Sequence, residues 1–479
     1  MTTETLAHHP GARLLRRRST TSLGILQPAY RSVTVGALAL VSLTAFEALA
    51  VTTAMPAIVE SLNGLSMYAL AFGAPLATSI IGLVLGGSWS DARGPATSVR
   101  LGAGLFTVGL LLAGFAVSMP MLLVGRAVQG LGTGLLNVAL LVVVGRCFPE
   151  RLRPRVLAGF AAAWVVPSIV GPAVSGMLVE HAGWRWVFLS VALMAPLAAA
   201  PVLLRLRQTS AAGGTPSTSS TSSTASTSST NRRLSWAVAA GLGVALLQVA
   251  GQGRGFAAGI VAVVGAVLLA PSAPRLLPAG TFRLVRGAPT VMALRGAAAA
   301  AFVGAQVFLP LLLIRERGLS PTTAGIALTT GSIAWFTGSW LQGRLPEPAL
   351  RPTLLRIGMW SIATGVGTAI GVVLTTGAIA ILIAGWAAVG GGMGIVVPVL
   401  SLLAFDLAEP GQQGVMSASL AISDALFSTM ALTVAGATFS VLLGVSASAP
   451  FLAGFAVAAT VASVGALVAA RVQSPSRES

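Results

Sequence analysis

Apolar residues run in long blocks along this chain, about fourteen of them from Val33 to Ala470, and almost every charge falls between the blocks. Each block is long enough to cross a bilayer as a helix, which takes about 20 apolar residues because lipid gives the backbone no hydrogen-bond partner. The pattern predicts spans near 33–56, 66–88, 99–118, 120–145, 156–178 and 184–205, then 234–252 and 256–272, then 290–314, 321–343, 353–375, 377–403, 413–443 and 447–470. Between the sixth and seventh spans, Thr209 to Thr230 is a run of mostly Ser, Thr, Gly and Ala, too poor in apolar surface to fold. The expected plan is a basic cytoplasmic tail over 1–32, a six-helix bundle over 33–205 and a Ser/Thr-rich cytoplasmic linker over 206–233. Two extra helices over 234–272, a second six-helix bundle over 273–471 and a short cytoplasmic tail over 472–479 complete it.

Composition narrows the class to an all-α polytopic membrane protein, since 55% of the 479 residues are hydrophobic and only 9% are charged. The net charge of +17 comes wholly from arginine, with no lysine, a usage that points to a GC-rich genome. In a soluble protein such a charge would suggest nucleic acid; here the placement of the arginines argues against it. Arg13, Arg16, Arg17, Arg18 and Arg31 precede the first span, Arg93 and Arg100 follow the second, and Arg146, Arg151, Arg153 and Arg155 follow the fourth. Arg205, Arg207, Arg232 and Arg233 follow the sixth, and later even-numbered spans are followed by Arg275, Arg283 and Arg286, then Arg344, Arg351 and Arg356. The alternate loops hold only Arg185, Arg254, Arg315 and Arg317. The positive-inside rule then puts both termini in the cytoplasm, and anionic lipid headgroups account for the basic loops. The first span is too long for a signal peptide and lacks an early cleavage site. Cys147 is the single cysteine, so no disulfide framework is expected.

The first six and last six spans read as copies. Gly132-Thr133-Gly134 opens a stretch that ends a span and leads to Phe148-Pro149-Glu150; Gly392-Met393-Gly394 opens a similar one leading to Ala408-Glu409-Pro410. A weaker echo links Gly87-Ser88-Trp89-Ser90-Asp91 with Gly343-Arg344-Leu345-Pro346-Glu347. Duplicated six-helix halves predict pseudo-twofold packing with a substrate cavity between them near the midplane.

Four local patterns carry chemistry. Glu47 stands nine residues before Pro56 in the first span, and because a membrane carboxylate is costly when charged and unpaired, it reads either as a proton-coupling group or as a carboxyl paired with a polar neighbour for packing. Gly87-Ser88-Trp89-Ser90-Asp91-Ala92-Arg93-Gly94 follows the second span. Arg126-Ala127-Val128-Gln129-Gly130-Leu131-Gly132 lies in the fourth, where an arginine needs an anion or water. Gly171-Pro172-Ala173-Val174-Ser175-Gly176 lies in the fifth, where small residues permit close helix approach and proline bends the helix. Together these residues resemble the major facilitator superfamily, and within it the fourteen-helix drug:proton antiporters, over nearly the whole chain.

That resemblance implies two pseudo-symmetric six-helix bundles with two additional helices between them. It implies proton coupling by Glu47 with Arg126 as its partner, and a conformational switch at Gly87, Asp91, Arg93 and Gly94, with Asp91 against the start of the helix near Gly414. It also implies that Gly171, Pro172 and Gly176 form the antiporter motif. The chain departs from the family pattern at Trp89, Ala92 and Pro95, where Arg93 or Arg100 is expected to replace the missing arginine. It departs again at Trp164, Val165 and Ser168, where the full antiporter motif has glycines.

Other intramembrane polar residues are few. Asp424 in the thirteenth span is a second candidate for protonation or cation contact, and Gln306 falls near the position of Glu47 in the second repeat. Gln129, Trp164, Gln306, Trp335 and Trp386 are candidates for the substrate cavity, while Asp406, Glu409 and Glu316 read as surface ion-pairing groups. Arg185, flanked by Trp184 and Trp186, fits an interfacial anchor. Histidines are confined to His8, His9 and His181, and there is no Walker loop, so no metal, no cofactor and no ATP is expected and a proton gradient is the expected energy source. The reading is a monomeric exporter of drug-like or lipophilic small molecules, exchanging them for protons across a bacterial cell membrane, with lipid but no nucleic acid as surroundings. Export of an endogenous metabolite such as a siderophore, lipid or self-made antibiotic is the alternative, and a non-transporting membrane receptor a remote one.

Overall fold

The computed structural model describes residues 24–28, 30–212, 224–253, 255–345, 348–375, 377–408 and 413–472. Among them are fourteen α-helices and no strand. The first six are α1 (Arg31–Ser61), α2 (Tyr68–Arg93), α3 (Pro95–Gly114), α4 (Met119–Cys147), α5 (Arg153–His181) and α6 (Arg185–Ala212). An extra pair follows, α7 (Thr224–Ala250) and α8 (Phe256–Leu276). The last six are α9 (Ala288–Leu311), α10 (Pro321–Gly343), α11 (Arg351–Thr375), α12 (Ile379–Asp406), α13 (Gln413–Leu442) and α14 (Ala449–Val468). Thirteen helices are long and apolar enough to cross a membrane; α10 falls short because threonines, serines and Gln342 thin its apolar content. Much of the expected linker, from 213 to 223, lies outside the described residues.

One expected boundary is wrong in an instructive way. The polar stretch from Gly87 to Arg93 is not a loop but the last turns of α2, and α3 begins at Pro95 rather than near 99. Gly94 alone makes the break, at φ 79°, a left-handed conformation open to glycine, and the fixed φ of Pro95 starts the next helix.

The duplicated glycines do the same work in each half. In α4, a methyl group at Gly134 would fall 2.3 Å from the Ser79 carbonyl oxygen of α2, and one at Gly132 would fall 2.4 Å from the Phe106 nitrogen of α3. In α12, a methyl at Gly394 would lie 2.2 Å from the Trp335 oxygen of α10, and one at Gly392 2.5 Å from the Gly358 oxygen of α11. Each helix is thus wedged between two neighbours at backbone contact, the close approach that small residues allow in lipid. Proline supplies the second device. Pro75, Pro167 and Pro398 each lack an N–H and so free the carbonyl four residues back. Those carbonyls, on Ala71, Ala163 and Gly394, accept from Arg126, Ser42 and Ser339 of neighbouring helices.

The halves meet along two seams, α2 with α13 and α5 with α10. The extra pair packs over the first seam, where Ala237, Val244 and Leu269 share a core with Ala77 and Ile80 of α2 and Leu426 of α13.

Candidate functional site

Glu47 lies near the middle of α1, and Arg126 about two turns into α4 from the end opposite the basic loops. Arg126 Nη1 donates to Glu47 Oε1 and, at 2.7 Å, to Gln129 Oε1. Its Nε donates to the Ala71 carbonyl oxygen of α2 at 3.1 Å, the acceptor released by Pro75. Gly130 brings α4 close enough for this, since a methyl there would fall 2.2 Å from the Pro75 oxygen. Glu47, Arg126 and Gln129 are all buried. One guanidinium therefore ties three helices, and its tie to α1 depends on the charge of a single carboxyl group. The sequence-expected pair of Glu47 and Arg126 is brought together, with Gln129 as a third member.

A second pair lies in the other half, nearer the basic end. Arg295, about two turns into α9, grips Asp424, about three turns into α13. The grip is bidentate: Nε to Oδ1 and Nη2 to Oδ2, both at 2.8 Å. Arg295 Nη1 donates to the Val397 oxygen at 3.2 Å and Ser401 Oγ at 3.3 Å, both on α12. Asp424 was foreseen; Arg295 was not, although an arginine inside the run from Ala288 to Leu311 was the available signal. The Asp424 side chain retains 30% exposure, against near-complete burial of Glu47, so this pair is the more accessible of the two.

The Gly171-Pro172-Gly176 segment forms part of the α5–α10 seam. A methyl at Gly176 would fall 2.5 Å from the Pro321 oxygen, and one at Gly325 2.2 Å from the Pro172 oxygen, so the two backbones touch. Thr329 Oγ1 donates to the Ile169 oxygen at 3.1 Å, and Glu180 Oε1 accepts from the Thr322 N–H at the start of α10, at 2.8 Å. An anion at those free N–H groups complements the helix dipole. On the other seam Tyr68 Oη donates to the Val307 oxygen at 2.7 Å, with Phe308 and Phe439 stacked beside it. These contacts close the end opposite the basic loops.

The remaining expected residues divide. Gly87, Asp91 and Arg93 are helical and Gly94 is the turn, but the Asp91 side chain and those of 409–415 lie outside the described residues. Arg93 lies 6.0 Å over the Trp89 ring, and Arg146 of α4 donates to the Ser90 oxygen at 3.1 Å, so both arginines sit beside the switch segment. Trp164 of α5 is half exposed and makes no ring contact with the other candidates among the described residues. Phe302, also unforeseen, stacks on Trp386 at 5.2 Å and meets Trp335 edge-on at 5.1 Å, and it shares a face of α9 with half-buried Gln306, four residues on. Arg185 stacks over Trp184 at 4.4 Å, as an interfacial anchor would. Asp406 pairs with Arg351 at the basic surface, and Glu409 lies outside the described residues. Among the described residues no three His, Cys, Asp or Glu converge as a metal site.

The family profile described as Major Facilitator Superfamily matches residues 37–426. The chain is 26% identical over 413 residues to the multidrug transporter protein MdtP of Bacillus subtilis, covering 84% of this chain and 74% of that protein. It is 26% identical over 409 residues to the probable multidrug-efflux transporter Rv1634 of Mycobacterium tuberculosis, covering 81% and 83%. Among solved structures, a bacterial homologue of the human lysosomal transporter Spinster, in an inward-facing and unoccupied conformation, superposes with TM-score 0.65 at 16% identity. That match covers 94% of this chain and 100% of that one. A D-xylose–proton symporter superposes with TM-score 0.64 at 15% identity, covering 91% and 96%. These two show the fold alone.

Proposed function

The chain belongs to the major facilitator superfamily, a multi-pass membrane transporter rather than an enzyme, and from that premise we propose that it exports drug-like or lipophilic small molecules in exchange for protons. The relatives named as multidrug transporters support the cargo class. The observation that carries the coupling is the buried Glu47–Arg126–Gln129 cluster. Protonating Glu47 removes the charge that Arg126 answers, and breaking one partner of a buried pair costs about 3–5 kcal/mol. That is enough to change which arrangement of α1 against α2 and α4 is favoured. Cargo and proton then occupy the pathway alternately while the halves rock about the midplane. Asp424 is the second protonation site in this reading, and Gln306, Trp335 and Trp386 contribute to the cavity wall.

The arginine-rich end is the cytoplasmic one by the positive-inside rule, which places the closed end outside, with both termini in the cytoplasm of a bacterial cell and the transporter acting as a monomer. A proton gradient supplies the energy, and no cofactor is required.

The decisive experiment follows proton movement in everted vesicles when candidate drugs are added, comparing wild type with Glu47→Gln. Drug-evoked proton movement that disappears in the variant supports antiport with coupling at Glu47. A response that survives the substitution moves coupling to Asp424, and silence in a folded wild type refutes drug–proton exchange.

A further inference from the structure

Among the described residues, the carboxylates lying away from helix ends within the membrane-spanning helices are Glu47 and Asp424. Each is already answered by an arginine of its own half. Asp424, the accessible one, has both oxygens engaged by Arg295 in a fork, the geometry in which guanidinium saturates a carboxylate. The arginines are committed as well: every nitrogen of Arg295 has an acceptor, and Nε and Nη1 of Arg126 serve the Ala71 carbonyl, Glu47 and Gln129. The intramembrane charges therefore cancel pairwise. The aromatic group offers a cation little more, because Phe302 and Trp386 cover each other's faces and Trp386 is buried.

Resting on the antiport reading above, we infer that the pathway selects lipophilic cargo without a fixed charge, and that Arg295 is the residue that excludes cations by occupying Asp424. A permanent cation must displace Arg295 to find a counter-charge, and an anion must displace Asp424 to find a donor. A neutral molecule needs neither and meets apolar wall, aromatic edges and neutral amides such as Gln306. Exchange of a neutral molecule for one proton moves one net charge, so it responds to membrane potential as well as to the pH gradient.

The test uses the purified full-length protein with chloramphenicol and N-phenyl-1-naphthylamine as neutral probes and ethidium and tetraphenylphosphonium as cations. In proteoliposomes, neutral probes should evoke proton movement at least tenfold stronger than the cations, and a potential negative on the basic side should accelerate their export. Equilibrium binding of ethidium, read by fluorescence, separates this inference from the antiport reading. Arg295→Gln should tighten ethidium binding at least tenfold, and Arg295→Gln/Asp424→Asn should abolish the gain; Arg295→Lys, which keeps the charge, should bind ethidium as weakly as wild type. Ethidium binding or exchange by wild type as strong as that of the neutral probes overturns the inference while leaving antiport standing. So does an Arg295→Gln protein that is folded yet gains no ethidium affinity. Proton silence with every probe refutes antiport, and the binding series still decides the role of Arg295.

Discussion

Tyr68 donates its phenolic proton to the Val307 carbonyl oxygen at 2.7 Å, joining the start of α2 to the far end of α9 across the boundary between the bundles. Both groups are buried, and the ring lies among Phe72, Phe308 and Phe439. Tyr68→Phe keeps the rings packed and removes only the hydrogen bond, worth about 1 kcal/mol net. A bond between the bundles breaks when they part at this end, so its loss should favour opening there by roughly fivefold. Spin labels at Ser61 and Ser446, in a Cys147→Ser background, should show a larger population at long separation; an unchanged distance distribution would exclude Tyr68 as a latch.

The contact between α5 and α10 leaves no room for a side chain. A methyl group at Gly176 would sit 2.5 Å from the Pro321 oxygen, against backbone that cannot rotate away. Gly176→Ala should therefore wedge this seam, at an overpacking cost of about 1–3 kcal/mol confined to the closed arrangement. The same spin-label pair should report opening, and drug export should slow because the closed state is visited less. Wild-type export together with wild-type distances would mean that the seam accommodates the methyl group by sliding.

How much of this was legible in the sequence depended on what lipid forbids. The spans could be read because an apolar environment leaves helix as the answer for each long block. Glu47 and Arg126 could be paired because two costly charges in otherwise apolar spans must find each other. The same rule applied to Arg295, whose partner lies 129 residues away, yet its position was masked by the longer arginine pattern in the loops. The helical character of Gly87 to Arg93 was hidden because polar residues at a membrane boundary look the same in a helix as in a loop. The seat of α7 and α8 was illegible for a deeper reason. In lipid a helix face toward protein and one toward acyl chains are equally apolar, so hydropathy does not reveal that Ala237 and Val244 are buried while Val249 and Leu242 are exposed.

Gln248 of α7 offers a stability prediction at that seat. It is buried against Gly73 of α2, and neither its nitrogen nor its oxygen has a hydrogen-bond partner among the described residues. An unsatisfied buried polar group costs about 1–3 kcal/mol, so Gln248→Leu should hold or raise the thermal unfolding temperature in detergent. A fall of several degrees would show that the amide is served by ordered water and belongs to a polar site at the α2–α7 contact.

The buried pair in the first half separates stability from coupling. Arg126→Gln leaves Glu47 charged and unanswered and should lower stability by about 3–5 kcal/mol, whereas replacing both members of such a pair is far less costly than removing one. The double variant Glu47→Gln/Arg126→Gln should therefore recover most of the thermal stability lost by Arg126→Gln, since a neutral amide at 47 no longer needs the guanidinium. If coupling resides at Glu47, that same double variant, stable and inserted, should still bind lipophilic cargo but move no protons with it. Melting curves and vesicle proton traces on the three proteins distinguish the cases. Recovery of stability with no recovery of proton movement assigns the pair to coupling, while recovery of both assigns Arg126 to packing and leaves Asp424 as the group that exchanges the proton.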